Sequence, residues 1–263
     1  MATTQPSLFV PHGGGPCFFM DDPAGTWTGM AAFLRSIPAS LPAIPTAILI
    51  VSGHWETEGF AFTANPKPAL LFDYSGFPSH TYQLRYDAPG SPELAAWAAS
   101  LLEQAGIPAA LDLARGLDHG VFVPLKVAFP EADIPVVEMS VDHRLDPALH
   151  LAAGRALAKL RDVGVLIVGS GMSFHNMRGY RDPRFTAPSE AFDQWLAATV
   201  ADDPVARADR LVHWAEAPAA RLSHPREEHL IPLMVAAGAS QAAGRRIYGE
   251  HVMQTALSGF RFD

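Results

Sequence analysis

The 263-residue sequence contains one cysteine, Cys17. That excludes an intrachain disulfide and every metal site built from several thiolates, so a metal must rest on His, Asp or Glu. Cys17 has no flanking nucleophile signature and reads as a small buried side chain. Long apolar runs are also missing. The longest, such as Ala47 to Val51, fall far short of the roughly 20 residues needed to cross a bilayer. Met1 to Gln5 holds no basic residue followed by an apolar stretch, so the expectation is a cytoplasmic chain without a signal peptide or membrane partner. Positive charge is scarce, 19 Lys and Arg against 27 Asp and Glu, for a net charge of −8. With no Lys/Arg run, a nucleic-acid partner is not expected. No segment repeats at a period of 20 to 50 residues, which excludes solenoids and propellers.

What the sequence does have is alternation. It is 49% apolar. Runs rich in β-branched and aliphatic residues predict strands at Ser7 to Val10, Thr46 to Val51, Phe60 to Thr63, Pro135 to Ser140, Val163 to Val168 and Arg245 to Tyr248. Helical patterns lie between them. Pro92 to Gln104 follows Ser91 as a candidate N-cap and stops at Gly106, with Leu94, Trp97, Ala98, Leu101 and Leu102 on one face. Asp146 to Arg161 places Pro147 in a first turn and Leu149, Ala153, Leu157 and Leu160 in register. Further helices are expected at Ser189 to Val200, Pro204 to Trp214 and Glu227 to Ala237. Strands alternating with helices predict an α/β fold, a single domain over residues 1–263, with a mixed, largely parallel central sheet flanked by helices on both faces. The stretch from Asn65 to Pro92, rich in proline and aromatics and without a period, reads as an excursion that could cover a site.

There are 11 histidines, and three stand where strands end. Leu8-Phe9-Val10-Pro11 runs into His12, Ile48 to Val51 into Ser52-Gly53-His54, and Leu166 to Val168 into Gly169-Ser170-Gly171 with His175 four residues on. In open α/β sheets ligands bind outside the carboxyl ends of the strands, so these three side chains can share one cavity. The glycines around them, Gly13 to Gly15, Gly53, Gly169 and Gly171, permit close backbone approach or positive φ. A fourth candidate lies in Pro225-Arg226-Glu227-Glu228-His229-Leu230-Ile231-Pro232. Successive helical residues point about 100° apart, so only one of Glu227, Glu228 and His229 can aim at a given metal, and Pro232 sets the cluster near a helix start. Imidazole with carboxylate and water suits zinc or non-haem Fe(II), and spacing leaves both open. Leu117-Asp118-His119-Gly120 places another histidine in a turn-like setting beside a carboxylate, a candidate for supporting a metal ligand from behind or for acid/base work. His80, His143, His150, His213, His224 and His251 have no such placement and read as surface or core residues, with His80 and His224 the nearest to exceptions. Trp55 and Phe174 read as packing. Gly13-Gly14-Gly15 lacks the Gly-Lys-Ser/Thr of a P-loop, Gly169 to Phe174 lacks the third glycine of a dinucleotide fingerprint, and there is no Gly-x-Ser-x-Gly elbow.

Taken together and in order, Pro11-His12-Gly13-Gly14-Gly15-Pro16, Ser52-Gly53-His54-Trp55, Tyr82 with Tyr86-Asp87-Ala88-Pro89-Gly90, Leu117-Asp118-His119-Gly120, Gly169-Ser170-Gly171 with His175-Asn176, and Arg226 to Leu233 resemble the LigB-type class III extradiol ring-cleavage dioxygenases. The DODA branch, the 4,5-DOPA extradiol dioxygenase-like proteins, is the one they resemble most. The resemblance spans nearly the whole chain. It implies a LigB-like fold and a metal held by His12, His54 and His229. It also implies that His175 is the acid/base residue, a fourth ligand in zinc-loaded relatives, and that His119 lines the oxygen and substrate pocket. Other LigB-type enzymes complete the site with a glutamate, which keeps Glu227 or Glu228 as an alternative to His229. Many relatives carry an acidic residue near position 80, so His80 points to a different substrate. The implied cofactor is Fe(II), with Zn(II) able to occupy the site as purified. The implied partners are a catechol and O2, in a monomer or homodimer. Two other readings use the same residues: a zinc hydrolase with Glu228 as base, and a non-enzymatic Memo-like binding protein.

Overall fold

Alternate side chains of the central strands divide the apolar residues between two faces, and each face is covered by its own helices. A computed structural model describes residues 3–263. Its eight strands are β1 (Ser7–Pro11), β2 (Ala47–Thr57), β3 (Phe60–Thr63), β4 (Ala109–Asp112), β5 (Val136–Asp142), β6 (Val165–Gly171), β7 (Gly244–Val252) and β8 (Thr255–Phe262). They form one sheet in the order β4-β3-β5-β2-β6-β1-β8-β7. The inner strands β5, β2, β6 and β1 run parallel, and β3 and β8 join them antiparallel on either side. This is the α/β class the sequence predicts, with a mixed sheet whose centre is parallel.

The helices are α1 (Thr28–Ser40), α2 (Pro92–Gln104), α3 (His119–Ala128), α4 (Pro147–Leu157), α5 (Lys159–Asp162), α6 (Thr186–Ala201), α7 (Pro204–Val212), α8 (Ala220–Ser223) and α9 (Ile231–Gly238). Leu8, Val10, Ile48, Ile50, Leu166 and Val168 pack with α1 and α3 on one face. Phe9, Leu49, Val51, Val137 and Ile167 pack with α2, α4, α6 and α9 on the other. Burying a sheet on both faces requires continuous apolar strands, which is the pattern read at Ile48 to Val51 and Leu166 to Val168. Ser91 Oγ accepts from the Leu94 N–H and Asp146 accepts from the Ala148 N–H, so α2 and α4 start where their caps place them.

Several boundaries differ from the sequence expectation. The helix expected from Glu227 begins at Ile231, because Pro232 lacks an N–H and fits only the first turn. The segment expected as one helix from Asp146 to Arg161 breaks at Ala158, whose N–H turns to the Arg155 carbonyl. Helices α1 and α3 carry Pro38 and Pro124, which read as breakers. Strand β8 hides its alternation because polar Thr255 and Ser258 are buried in it. Among the described residues no helix is long and apolar enough to cross a membrane.

Candidate metal centre

The parallel strands bring their carboxyl ends together at one rim of the sheet, and the first three site histidines come from that rim. His12 follows β1 directly, and its N–H donates to the Gly171 carbonyl of β6 at 3.2 Å. His54 lies within β2 rather than beyond it: the strand continues to Thr57 through a register shift against β5 between Val51 and Glu56. Such an irregularity re-aims side chains at the strand end. His175 follows β6, with its N–H on the Ser223 carbonyl at 2.9 Å.

His229 arrives from the segment ahead of α9, and two glycines admit it. A Cβ at Gly53 would strike the Glu228 carbonyl, and one at Gly171 the His229 carbonyl. The Met172 N–H donates to that same His229 carbonyl at 3.0 Å. Without side chains at these two positions, the backbone of residues 228 and 229 seats directly on β2 and β6.

One ring nitrogen each from His12, His54 and His229 lie within 4.8 Å of one another. The ring centroids are 5.1 Å apart for His12 and His54, 5.2 Å for His12 and His229, and 4.8 Å for His54 and His229. The tautomer of His12 follows from its surroundings. Pro124 has no N–H to offer the Gly120 carbonyl four residues back in α3. That carbonyl accepts the Ser170 hydroxyl proton instead. Ser170 Oγ is then the acceptor for His12 Nδ1, 3.1 Å away, which leaves His12 Nε2 bare. His54 Nε2 lies 3.3 Å from it. Two ring nitrogens facing each other at this distance can share one cation.

Burial pushes His12 well below the ordinary histidine range, and the neighbouring imidazoles His54 and His229 add to this. Burial, with His119 next to it, pushes His54 down to about 4. His229 is likewise lowered by burial, against the opposing pull of Glu228. Neutral imidazole is the form that ligates metal, and an all-nitrogen trio with carboxylates behind it suits zinc or non-haem Fe(II). The residues present therefore fit a divalent metal.

His175 stacks on His229, with ring centroids 3.4 Å apart and 20° between planes. It stands in a second grouping with Glu228 and His229, outside the trio. Glu227 is turned away, its carboxylate 2.6 Å from Arg221. His119, expected in a turn, opens α3. Its backbone N–H and its Nδ1 both meet Asp73 Oδ1, at 3.0 and 2.8 Å, and its ring lies 4.0 Å from that of His54. The other oxygen of Asp73 is 3.9 Å from His54 Nδ1.

Asp73 was invisible to sequence reasoning, since a lone carboxylate among aromatics in an aperiodic stretch carries no pattern. It sits in the Asn65 to Pro92 excursion, which does run over the site: Phe77 lies against Gly15, and His80 Nε2 donates to the Phe19 carbonyl at 2.9 Å. His80 thus ties two rim loops together and is not in the metal grouping. Behind His54, Ser52 accepts its N–H at 3.3 Å and donates to Asp118 at 2.9 Å, and Arg115 reaches both Asp118 and Glu138.

The remaining histidines stand apart. His150 and His224 are buried in the core, whereas His143, His213 and His251 are exposed. Trp55 is buried beneath the Arg115 guanidinium, and Phe174 packs on Tyr180 and Phe185. Burial pushes the Cys17 thiol up to about 12, which keeps it protonated at neutral pH.

Residues 8–260 match the family described as the catalytic LigB subunit of aromatic ring-opening dioxygenase. The chain is 38% identical over 237 residues to a 4,5-DOPA dioxygenase extradiol of Beta vulgaris, covering 89% of this chain and 86% of that one. It is 36% identical over 242 residues to a protein of the same name from Escherichia coli K12, covering 90% and 86%. A solved structure of an uncharacterised E. coli K12 protein superposes with a TM-score of 0.78 at 29% identity, covering 98% of this chain and all of that one.

Proposed function

The chain belongs to the LigB family of aromatic ring-opening dioxygenases, and we propose that it is an Fe(II)-dependent extradiol dioxygenase acting on a catechol. One observation carries the reading: three neutral imidazoles converge on a point that a fourth, His175, also borders. His12, His54 and His229 would hold the metal. When bound, Fe(II) supplies adjacent sites for the two catechol oxygens and O2, and the redox capacity that a protein side chain lacks.

The protein's part is orientation and proton management. His175 takes a catechol hydroxyl proton at Nε2, since its Nδ1 is held on Glu228, and returns it as the O–O bond breaks. His119 is oriented by Asp73 and borders the same space from the other side. His12 at 1%, His229 at 5% and His119 at 7% exposure keep water from most of the pocket wall. The carbon–carbon bond broken is the one beside the hydroxyl-bearing carbon. One oxygen atom of O2 ends on each carbon, the first becoming a carboxyl and the second an aldehyde, so all atoms of catechol and O2 are in the product.

The geometry disfavours Glu228 as the water-activating base of a hydrolase, because two ring N–H groups occupy its Oε1 and its Oε2 is buried away from water. The test is anaerobic loading with Fe(II), then a panel of substituted catechols with O2. The expected result is oxygen uptake matching catechol consumed, with a yellow ring-opened chromophore. A fully loaded protein that consumes no oxygen across the panel refutes the proposal.

A further inference from the structure

The stacked rings of His175 and His229 share a single carboxylate oxygen. Glu228 Oε1 lies 2.9 Å from His229 Nδ1 and 3.2 Å from His175 Nδ1. An ionised carboxylate has no proton to give, so each Nδ1 is the protonated nitrogen and each Nε2 is a bare lone pair. In an imidazole the two nitrogens point to opposite sides of the ring. Two near-parallel rings with Nδ1 on one shared oxygen therefore both direct Nε2 away from the carboxylate.

We propose that Glu228 is the positioning residue of this centre, its one oxygen setting the tautomer and orientation of His229 for the metal and of His175 for proton transfer. The proposal rests on the site assignment made above. Among the described residues, no other side chain makes a hydrogen bond to this carboxylate. Among the described residues, its Oε2 is buried without a hydrogen-bond partner. The nearest cation, Arg226, is 3.7 Å away and pinned to both oxygens of Glu56 at 2.5 and 2.6 Å. The backbone of Glu228 is seated on Gly53, so the clamp is held by the sheet itself. Glu227, one residue earlier, instead pairs with Arg221 and shows what an acidic side chain in this segment does when it is not recruited. Orientation of this kind sets which nitrogen a ligand histidine offers, and losing it typically costs 10- to 100-fold in metal affinity.

The experiment uses protein labelled with 15N in its histidines, metal-free and zinc-loaded, and reads each ring's tautomer from long-range proton–nitrogen spectra. Zinc affinity is measured in parallel by chelator competition. In the unsubstituted protein His175 and His229 are expected in the Nδ1–H form. In Glu228→Ala both rings are expected to gain Nε2–H character, with zinc affinity lower by roughly 10- to 100-fold and little change in Tm. Glu228→Gln keeps an acceptor at the same place and is expected to restore the tautomers and bring affinity within a few-fold. An Nε2–H form of His175 in the unsubstituted protein overturns the proposal whether or not the alanine variant folds. Unchanged tautomers and affinity in Glu228→Ala overturn it as well. Neither readout needs turnover, so a failure of catechol cleavage would sink the dioxygenase reading and leave this one standing.

Discussion

Lowering the pH from 7 to 4 should cost this protein about 3 kcal/mol through one residue outside the site, His150. The ring is fully buried on the first turn of α4, edge-on to Phe60. Its Nδ1 donates to the Asp146 carbonyl at 2.6 Å and its Nε2 accepts the Asp142 N–H at 3.1 Å. Both nitrogens are committed, and a second proton would have to enter at Nε2, where an N–H already points. Burial accordingly pushes the group down to about 4 from an ordinary value of 6.5, although the Asp146 carbonyl pulls the other way. Because the folded value is the lower one, the neutral ring's contribution is fully present above pH 6.5 and is lost as the pH falls through 4. A gap of about 2.5 units at 1.36 kcal/mol each gives about 3 kcal/mol in total, with about 2 kcal/mol gone by pH 5. That is a large share of a typical stability of about 5–15 kcal/mol. The assay is urea unfolding at pH 7, 6, 5 and 4 for the unsubstituted protein and for His150→Gln, whose amide oxygen can still accept the Asp142 N–H. The difference between the two cancels the other buried histidines. It should shrink by about 3 kcal/mol from pH 7 to pH 4, and a difference that stays constant over that range refutes the reasoning.

Replacing His12 or His54 by alanine should abolish stoichiometric zinc binding and catechol-dependent oxygen uptake together, as metal analysis and an oxygen electrode on the same samples would show. His175→Gln should keep its metal and lose ring opening by about 100- to 10,000-fold, the usual worth of a positioned acid/base group; equal losses of metal and activity would contradict its placement outside the trio. Asp73→Asn should lower turnover by about 10-fold or more and weaken metal affinity less than Glu228→Ala does, since its hydrogen bonds are to His119 and its carboxylate lies 3.9 Å from His54. Gly171→Ala should push the His229 carbonyl off β6 and weaken zinc binding, while Gly106→Ala, whose Cβ meets open space, should cost no more than the strain of its positive φ.

The arrangement places its polar supports one layer behind the candidate ligands. Ser170, Asp73 and Glu228 each face the Nδ1 of one candidate ligand, at 3.1, 3.9 and 2.9 Å for His12, His54 and His229. Negative charge thus stabilises a bound cation without occupying the positions that substrate and oxygen need. The three supports come from β6, from the covering excursion and from the segment before α9, so the centre is assembled only when the sheet, the loop and α9 are all in place.

The sequence by itself determined the class of fold and the two strand-borne histidines of the candidate centre. Apolar runs with no polar relief can only be strands buried on both faces, and a histidine at the carboxyl end of such a strand faces the rim where loops meet. It also determined that a metal, if present, rests on His, Asp or Glu, because a single cysteine cannot build a thiolate site. Proximity across the chain was beyond its reach. That His229 rather than Glu227 or Glu228 joins His12 and His54 depends on where Gly53 and Gly171 let a distant segment settle. That Asp73 orients His119 depends on how a loop without periodicity folds back. Local pattern reports which face a residue presents, whereas the meeting of residues 12, 54, 73, 119, 175 and 229 is fixed by packing, and only packing carries that information.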